Sequence, residues 1–378
     1  MANGLMLTLT ALALIAMAAA PAPAADAPTD CDRLAGSPTD PQRVAEGVGL
    51  FGIEIDAALA ACAKAVAANP KEPRLLYELG RAQESAAYGV TGAGAAPAMA
   101  TYRRAAEMGY AAAQAEAQTY AWWDFLSGDA PGPEEAVRLF KLAAKADPAE
   151  ARQIRRRDFV NAAFQRRLSQ AALGFLQGLA DRGDPDALYA LGHHADQSPE
   201  AKPPAIELWT KAAAAGSAGA AEALARKYSG IRGGAPLDFD RAKAYNRQAA
   251  EGDDPSARGS AAQLYELGFA GLKPDPALAA KLFKRSSDEG DKWARFDYAE
   301  CLETGKGGVT PDAAAAADLY KRAAEQGHED AALAYVRIVS GGAPGFPADN
   351  DRAQAFLRRA ARWSEKAKTK LKELTGGG

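Results

Sequence analysis

The C-terminal half of this chain repeats every 37 residues, and no other feature restricts its fold as tightly. Asp238, Asp275, Asp312 and Asp349 fall on one register, and Ala242, Ala279, Ala316 and Ala353 on another. Tyr245, Leu282, Leu319 and Phe356 follow, then Asn246, Phe283, Tyr320 and Leu357. Next come the small pairs Ala249-Ala250, Ser286-Ser287, Ala323-Ala324 and Ala360-Ala361, and a turn position at Asp253, Gly290, Gly327 and Ser364. A period of this length marks stacked supersecondary units, none of which can bury its apolar face alone.

Each column has a physical meaning. An Asp four residues before a buried Ala can cap a helix or sit in its first turn. Asp275-Pro276 pairs a cap with Pro at the first helical position. The large residue and the small pair lie three and four apart, on one helix face, and the small pair lets a neighbouring backbone approach. Gly after that helix supplies a left-handed stop. A second helix follows, with Ala257, Ala294 and Ala331 and then Tyr228, Tyr265, Leu302 and Val339 one face along. Upstream copies centre on Tyr102 with Gly109, Phe140 with Asp147, Leu176 with Gly183, and Trp209 with Gly216. This predicts an all-α solenoid of roughly eight antiparallel helix pairs over residues 75–368.

Composition agrees. Alanine-rich apolar content favours helix and close packing, and runs of alternating Val, Ile and Thr are missing, which argues against sheet. A net charge of −3 argues against a general nucleic-acid binder. Residues Leu5 to Ala20 are uncharged and rich in Leu, Ala and Met, and Ala22-Pro23-Ala24 offers small residues for cleavage. Residues 1–24 are therefore expected to be a signal peptide, and the mature chain periplasmic or secreted. In such a compartment Cys31 and Cys62 are expected to bridge, with Cys301 a buried small apolar residue. Residues 25–74 read as a linker and one capping helix, with Ile53, Ile55, Leu59 and Val66 around Cys62. The charged, then glycine-rich, end (369–378, beginning to fray near Lys366) reads as flexible.

The unit Tyr298-Ala299, Leu302, Gly305, Gly307, Gly308, Val309, Asp312, Ala316, Tyr320, Ala323-Ala324 and Gly327 resembles the Sel1-like repeat, a relative of the tetratricopeptide repeat. The stride exceeds the tetratricopeptide's 34 residues. The resemblance runs from about Leu75 to Lys368, and the copy around Ile154 to Gly183 departs from it. It implies an α-solenoid wound as a right-handed superhelix that makes protein–protein contacts. Some exported bacterial members of the family act as regulators or assembly factors in the cell envelope. Cysteine-rich relatives have been linked to β-lactam binding, which makes a hydrolase the alternative. Those relatives carry disulfides in many repeats, and this chain does not.

No catalytic constellation stands out. His193, His194 and His328 lack a zinc-binding spacing and read as solvated helix and turn residues. The Gly305–Gly308 run lacks the strand and Lys of a phosphate loop. No cofactor or metal is implied. For binding, one column follows the Leu-Gly position of each first helix: Arg81, Thr119, His193, Arg226, Gln263, Glu300 and Arg337. Its variable chemistry suits a partner-reading surface, with Arg81, Arg226 and Arg337 anchoring an acidic protein; an ordinary wet face is the competing reading. Trp122 and Trp123 suit either a contact hot spot or a lid on a local core. Arg152, Arg155, Arg156, Arg157, Arg166 and Arg167, opposed in sequence only by Asp158, form a solvated face or a patch for an acidic polysaccharide, protein or lipid surface.

Overall fold

The computed structural model describes residues 28–375 except 88–95, 131, 166, 199–202, 232–234 and 269–271. The expected signal peptide and Arg166 lie outside the described residues. Within them the chain is helical, without a strand. A short α1 (Asp30–Ala35) and α2 (Ile55–Ala68) precede the array. Eight pairs follow: α3 (Pro73–Ala87) with α4 (Ala96–Glu107), α5 (Ala111–Ser127) with α6 (Glu134–Ala146), α7 (Pro148–Phe164) with α8 (Gln170–Ala180), and α9 (Pro185–Asp196) with α10 (Ala205–Ala214). Then come α11 (Ala218–Tyr228) with α12 (Phe239–Glu251), α13 (Pro255–Leu267) with α14 (Pro276–Asp288), α15 (Lys292–Thr304) with α16 (Ala313–Ala324), α17 (Glu329–Gly341) with α18 (Asn350–Ala360), and a closing α19 (Glu365–Thr375). This is the expected α-solenoid.

The periodic Asp residues are caps, as their position implied. Asp238, Asp275, Asp312 and Asp349 each begin an outer helix and accept from the backbone N–H three residues on. The N–H of each also donates to a carbonyl in the last turn of the preceding inner helix, at Tyr228, Tyr265, Leu302 and Val339. One residue therefore stops the free N-terminus of one helix from going unsatisfied and stitches it to its partner. Asp312→Ala should cost about 1 kcal/mol, read as a lower denaturation midpoint with an unchanged slope.

Successive odd-numbered helices touch one another, as α11 does α13, α13 does α15, and α17 does α19. No two even-numbered helices make comparably close contact among the described residues. The odd layer therefore follows the shorter arc and forms the inner wall. Close approach between layers relies on small residues: a Cβ on Gly192 of α9 would collide with the Trp209 indole of α10. The small pairs are core, with Ala249, Ser286, Ala323 and Ala324 all fully buried.

The two ends depart from the repeat pattern. Residues 36–54 run as an irregular linker with one 3₁₀ turn at Leu50–Gly52 and lead into α2, the one expected capping helix; the short α1 before them is not part of that expectation. The C-terminal stretch is helical to Thr375, because Ser364 caps α19 and Ala367 is buried in the last core cluster. The Cys31–Cys62 bridge is present, with a Cα–Cα distance of 4.6 Å, and Cys301 is free and buried.

Candidate interaction surface

The column after the Leu-Gly position lies on the inner wall, but it is not uniformly open. Arg81 is buried, and its guanidinium donates to the carbonyls of Ala35 and Val48. Thr119 accepts from Arg157 at 2.9 Å. His193 is buried against the rings of Phe164, Tyr189 and Trp209. Arg226 pairs with Glu222 one turn back on its own helix. Gln263 donates to Asp297 at 3.1 Å. Only Glu300 and Arg337 are well exposed, and Arg337 is held by both oxygens of Glu303, at 2.6 and 2.7 Å. The three arginines are thus not equivalent anchors. Arg81 serves the fold, and the other two already hold carboxylates of this chain.

The arginine cluster is also paired, although nearby sequence offers only Asp158. Arg155 bridges Asp184 and Asp186 at 3.0 and 2.7 Å and lies over the Phe140 ring. Arg156 reaches from α7 to Asp253 and Asp254 at the start of α13, at 3.3 and 3.4 Å. Arg157 meets Asp158, whose buried carboxyl is pushed up to about 6 by desolvation, an effect the arginine partly offsets. Arg152 and Arg167 are exposed. The centre of the expected anion-binding patch is therefore an internal ionic tie across the inner wall. Trp122 is a core residue, 1% exposed, and Trp123 is half-buried on the same core, which favours the lid over the hot spot.

His193 and His328 are not solvated as expected, and His194 is half-buried. His328 is buried between Trp293 and Phe296 and caps α17 by accepting from the Ala331 N–H. Burial lowers its pKa to about 4, against a weaker pull upward from Asp330. Since the folded value lies below the unfolded one, about 6.5, its contribution is complete above pH 6.5 and is lost as pH falls toward 4. Glu78, Glu116 and Asp297, each raised to about 7 chiefly by burial, act in the opposite sense. The difference between parent and His328→Asn isolates the histidine. The variant's melting temperature should fall less between pH 6.5 and 4.

One open concavity interrupts the inner wall, about 310 Å³, lined by Ser256, Gly259, Ser260, Gln263, Asp291, Trp293 and Asp297. Trp293 is 55% exposed at its rim. Burial pushes the Asp297 carboxyl up to about 7, with Gln263 opposing, and Glu300 is raised by the same cause. The nearby cations are engaged: Lys292 lies over the Trp293 ring, 5.5 Å from its centroid, and donates to the Gln326 carbonyl, Lys306 pairs with Glu266 at 2.7 Å, and Arg337 pairs with Glu303. The wall around α13 and α15 thus combines an exposed indole with carboxyl groups.

The family model for the Sel1 repeat matches residues 126–148, 168–217, 218–254, 257–291, 294–328 and 332–362. The chain belongs to the Sel1 repeat family. Among solved structures it is similar to a Sel1 repeat protein from Oxalobacter formigenes, at 25% identity and a TM-score of 0.45, covering 82% of this chain and 88% of that one. It is also similar to a protective antigen of uropathogenic Escherichia coli displaying an SLR fold, at 21% identity and a TM-score of 0.46, covering 84% and 67%. Yeast Tom70 aligns at 13% identity and a TM-score of 0.41, covering 85% and 84%. No curated protein matches the sequence. Sel1 repeats form solenoids that typically mediate protein–protein contact and are generally non-catalytic scaffolds.

Two features of these Sel1 units lie outside the outer-helix columns. The inner helices have their own cap column, Ser217, Asp254, Asp291 and His328, which keeps the 37-residue stride but changes residue type. Trp293 follows the cap Asp291 by two residues, where the equivalent positions hold Gly219, Ser256 and Asp330. An aromatic at an otherwise small or polar position was the available signal.

Proposed function

We propose that this Sel1 repeat chain is an exported interaction scaffold of the cell envelope that binds a basic segment of a partner protein on the inner wall of α13 and α15. The observation that carries this reading is the concavity under Trp293. There an exposed indole, which already meets Lys292 and can stack on a further cationic side chain, adjoins Asp291, Asp297 and Glu300 while Lys306 and Arg337 are paired. Export is supported by the uncharged Leu5–Ala20 stretch and by the Cys31–Cys62 bridge, which suits an oxidising compartment. The arginine cluster gives little support to an acidic polysaccharide, because three of its members face aspartates.

The test is affinity recovery of partners from cross-linked envelope fractions, with parent beside Trp293→Ala/Glu300→Lys. The double variant should keep its helix content, with a lower melting temperature because the Trp293 ring no longer covers His328, and lose at least tenfold of one specific protein, in a salt-sensitive manner. Equal recovery by both proteins would remove this wall as the binding surface. Absence of the chain from envelope fractions would remove the location.

A further inference from the structure

We infer that residues 36–54 form a strap that holds the superhelix closed and covers the first repeat's inner wall. One foot of the strap lies on α3. There Arg81 donates to Ala35 and Val48, Val48 N–H donates to Gly36 at 2.7 Å, and Asp40 accepts from the Tyr110 hydroxyl at 2.5 Å. The other foot lies on the far end of the array. Phe51 N–H donates to the Glu325 carbonyl at 3.4 Å, and its ring sits 5.1 Å from that of Trp363. Arg362 donates to the Ile53 carbonyl at 3.0 Å, and Arg359 pairs with Glu54 at 3.5 Å.

These contacts join residues some 300 positions apart, so they tie the first pair to the last. The segment is shaped for the task. A Cβ on Gly49 would collide with the Glu325 side chain, and a Cβ on Gly327 would come within 2.9 Å of the Phe51 ring. The strap also lies inside the loop closed by Cys31–Cys62, which restrains both of its ends. The far foot is small: one aromatic contact, a few hydrogen bonds, one of them from the Gly49 N–H to the Glu325 carboxyl, and one partly exposed ion pair. Release is therefore within reach of a competing ligand. Arg81 belongs to the same inner-wall column as Glu300 and Arg337, so the strap is autoinhibitory for any partner that reads the whole column.

The test uses the full chain with its disulfide intact and no partner, so its outcome is independent of the proposed basic ligand. Gly49→Ala should undock the strap by collision while leaving every core side chain in place. Phe51→Ala/Arg362→Ala should undock it by loss of contacts. Helix content is followed by circular dichroism, overall dimensions by small-angle X-ray scattering, and local opening by amide exchange. Expected for whichever variant keeps parental helicity is a greater maximum dimension, with exchange at least tenfold faster at residues 48–54 and around Arg81. Parental dimensions and protection in a helical variant would overturn the closure. Greater length with residues around Arg81 still protected would overturn the covering role.

Discussion

Trp122→Ala is expected to destabilise the chain by roughly 3–5 kcal/mol, the cost of emptying a fully buried indole site. Trp122 meets Phe159 edge-on at 4.9 Å, and Phe175 and Phe125 at 5.9 and 6.4 Å. Its ring therefore joins α5, α7 and α8, where the pairs are least regular and no repeated column supplies the contact. Neighbours on three helices cannot all close around the void, so relaxation should recover little of the loss. Trp122→Phe keeps most of the volume and should cost under about 1.5 kcal/mol. Urea denaturation separates the two readings of this residue. A residue serving a partner would leave the midpoint of the free chain unchanged on truncation.

Removal of the Cys31–Cys62 bridge by paired alanine substitutions should cost roughly 3–4 kcal/mol on the chain-entropy account, given a loop of 31 residues. The effect should be concentrated in the N-terminal cap. That cap has its own small core of Ile53, Ala58, Leu75 and Ala82 around the two sulfurs, and its ion pair Arg74–Asp32 is buried. Amide exchange in α2 and residues 36–54 should accelerate in the variant while α13 to α17 stay protected. Uniform acceleration along the chain would show that the cap and the array unfold as one unit.

How much of this was legible in the sequence depended on distance along the chain. The helix pairs and the caps Asp238, Asp275, Asp312 and Asp349 could be read because each column recurs at a fixed stride and each role is local. The Arg155 and Arg156 pairs could not. Their aspartates lie about 30 and 97 positions away, and a count of nearby charges sees only Asp158. The strap was hidden for a stronger reason: residues 36–54 occur once, carry no period, and find their partners only after the superhelix has turned. His193 illustrates a third kind of failure. It lies on an inner helix, but the rings of Phe164 and Trp209 pack against it, and a register states direction without stating which neighbours fill the space.

The Phe51–Trp363 contact also makes the array count its units. An open solenoid can gain or lose a pair with little consequence for the others, since each unit meets only its neighbours. Here an inserted 37-residue unit would rotate and translate the socket formed by Glu325, Gly327 and Trp363 away from a strap whose reach is set by its length. Duplication of one repeat would then be tolerated by every local interface and still leave the two ends unable to meet. The number of repeats, ordinarily free to drift, becomes as much a part of the fold as any buried side chain.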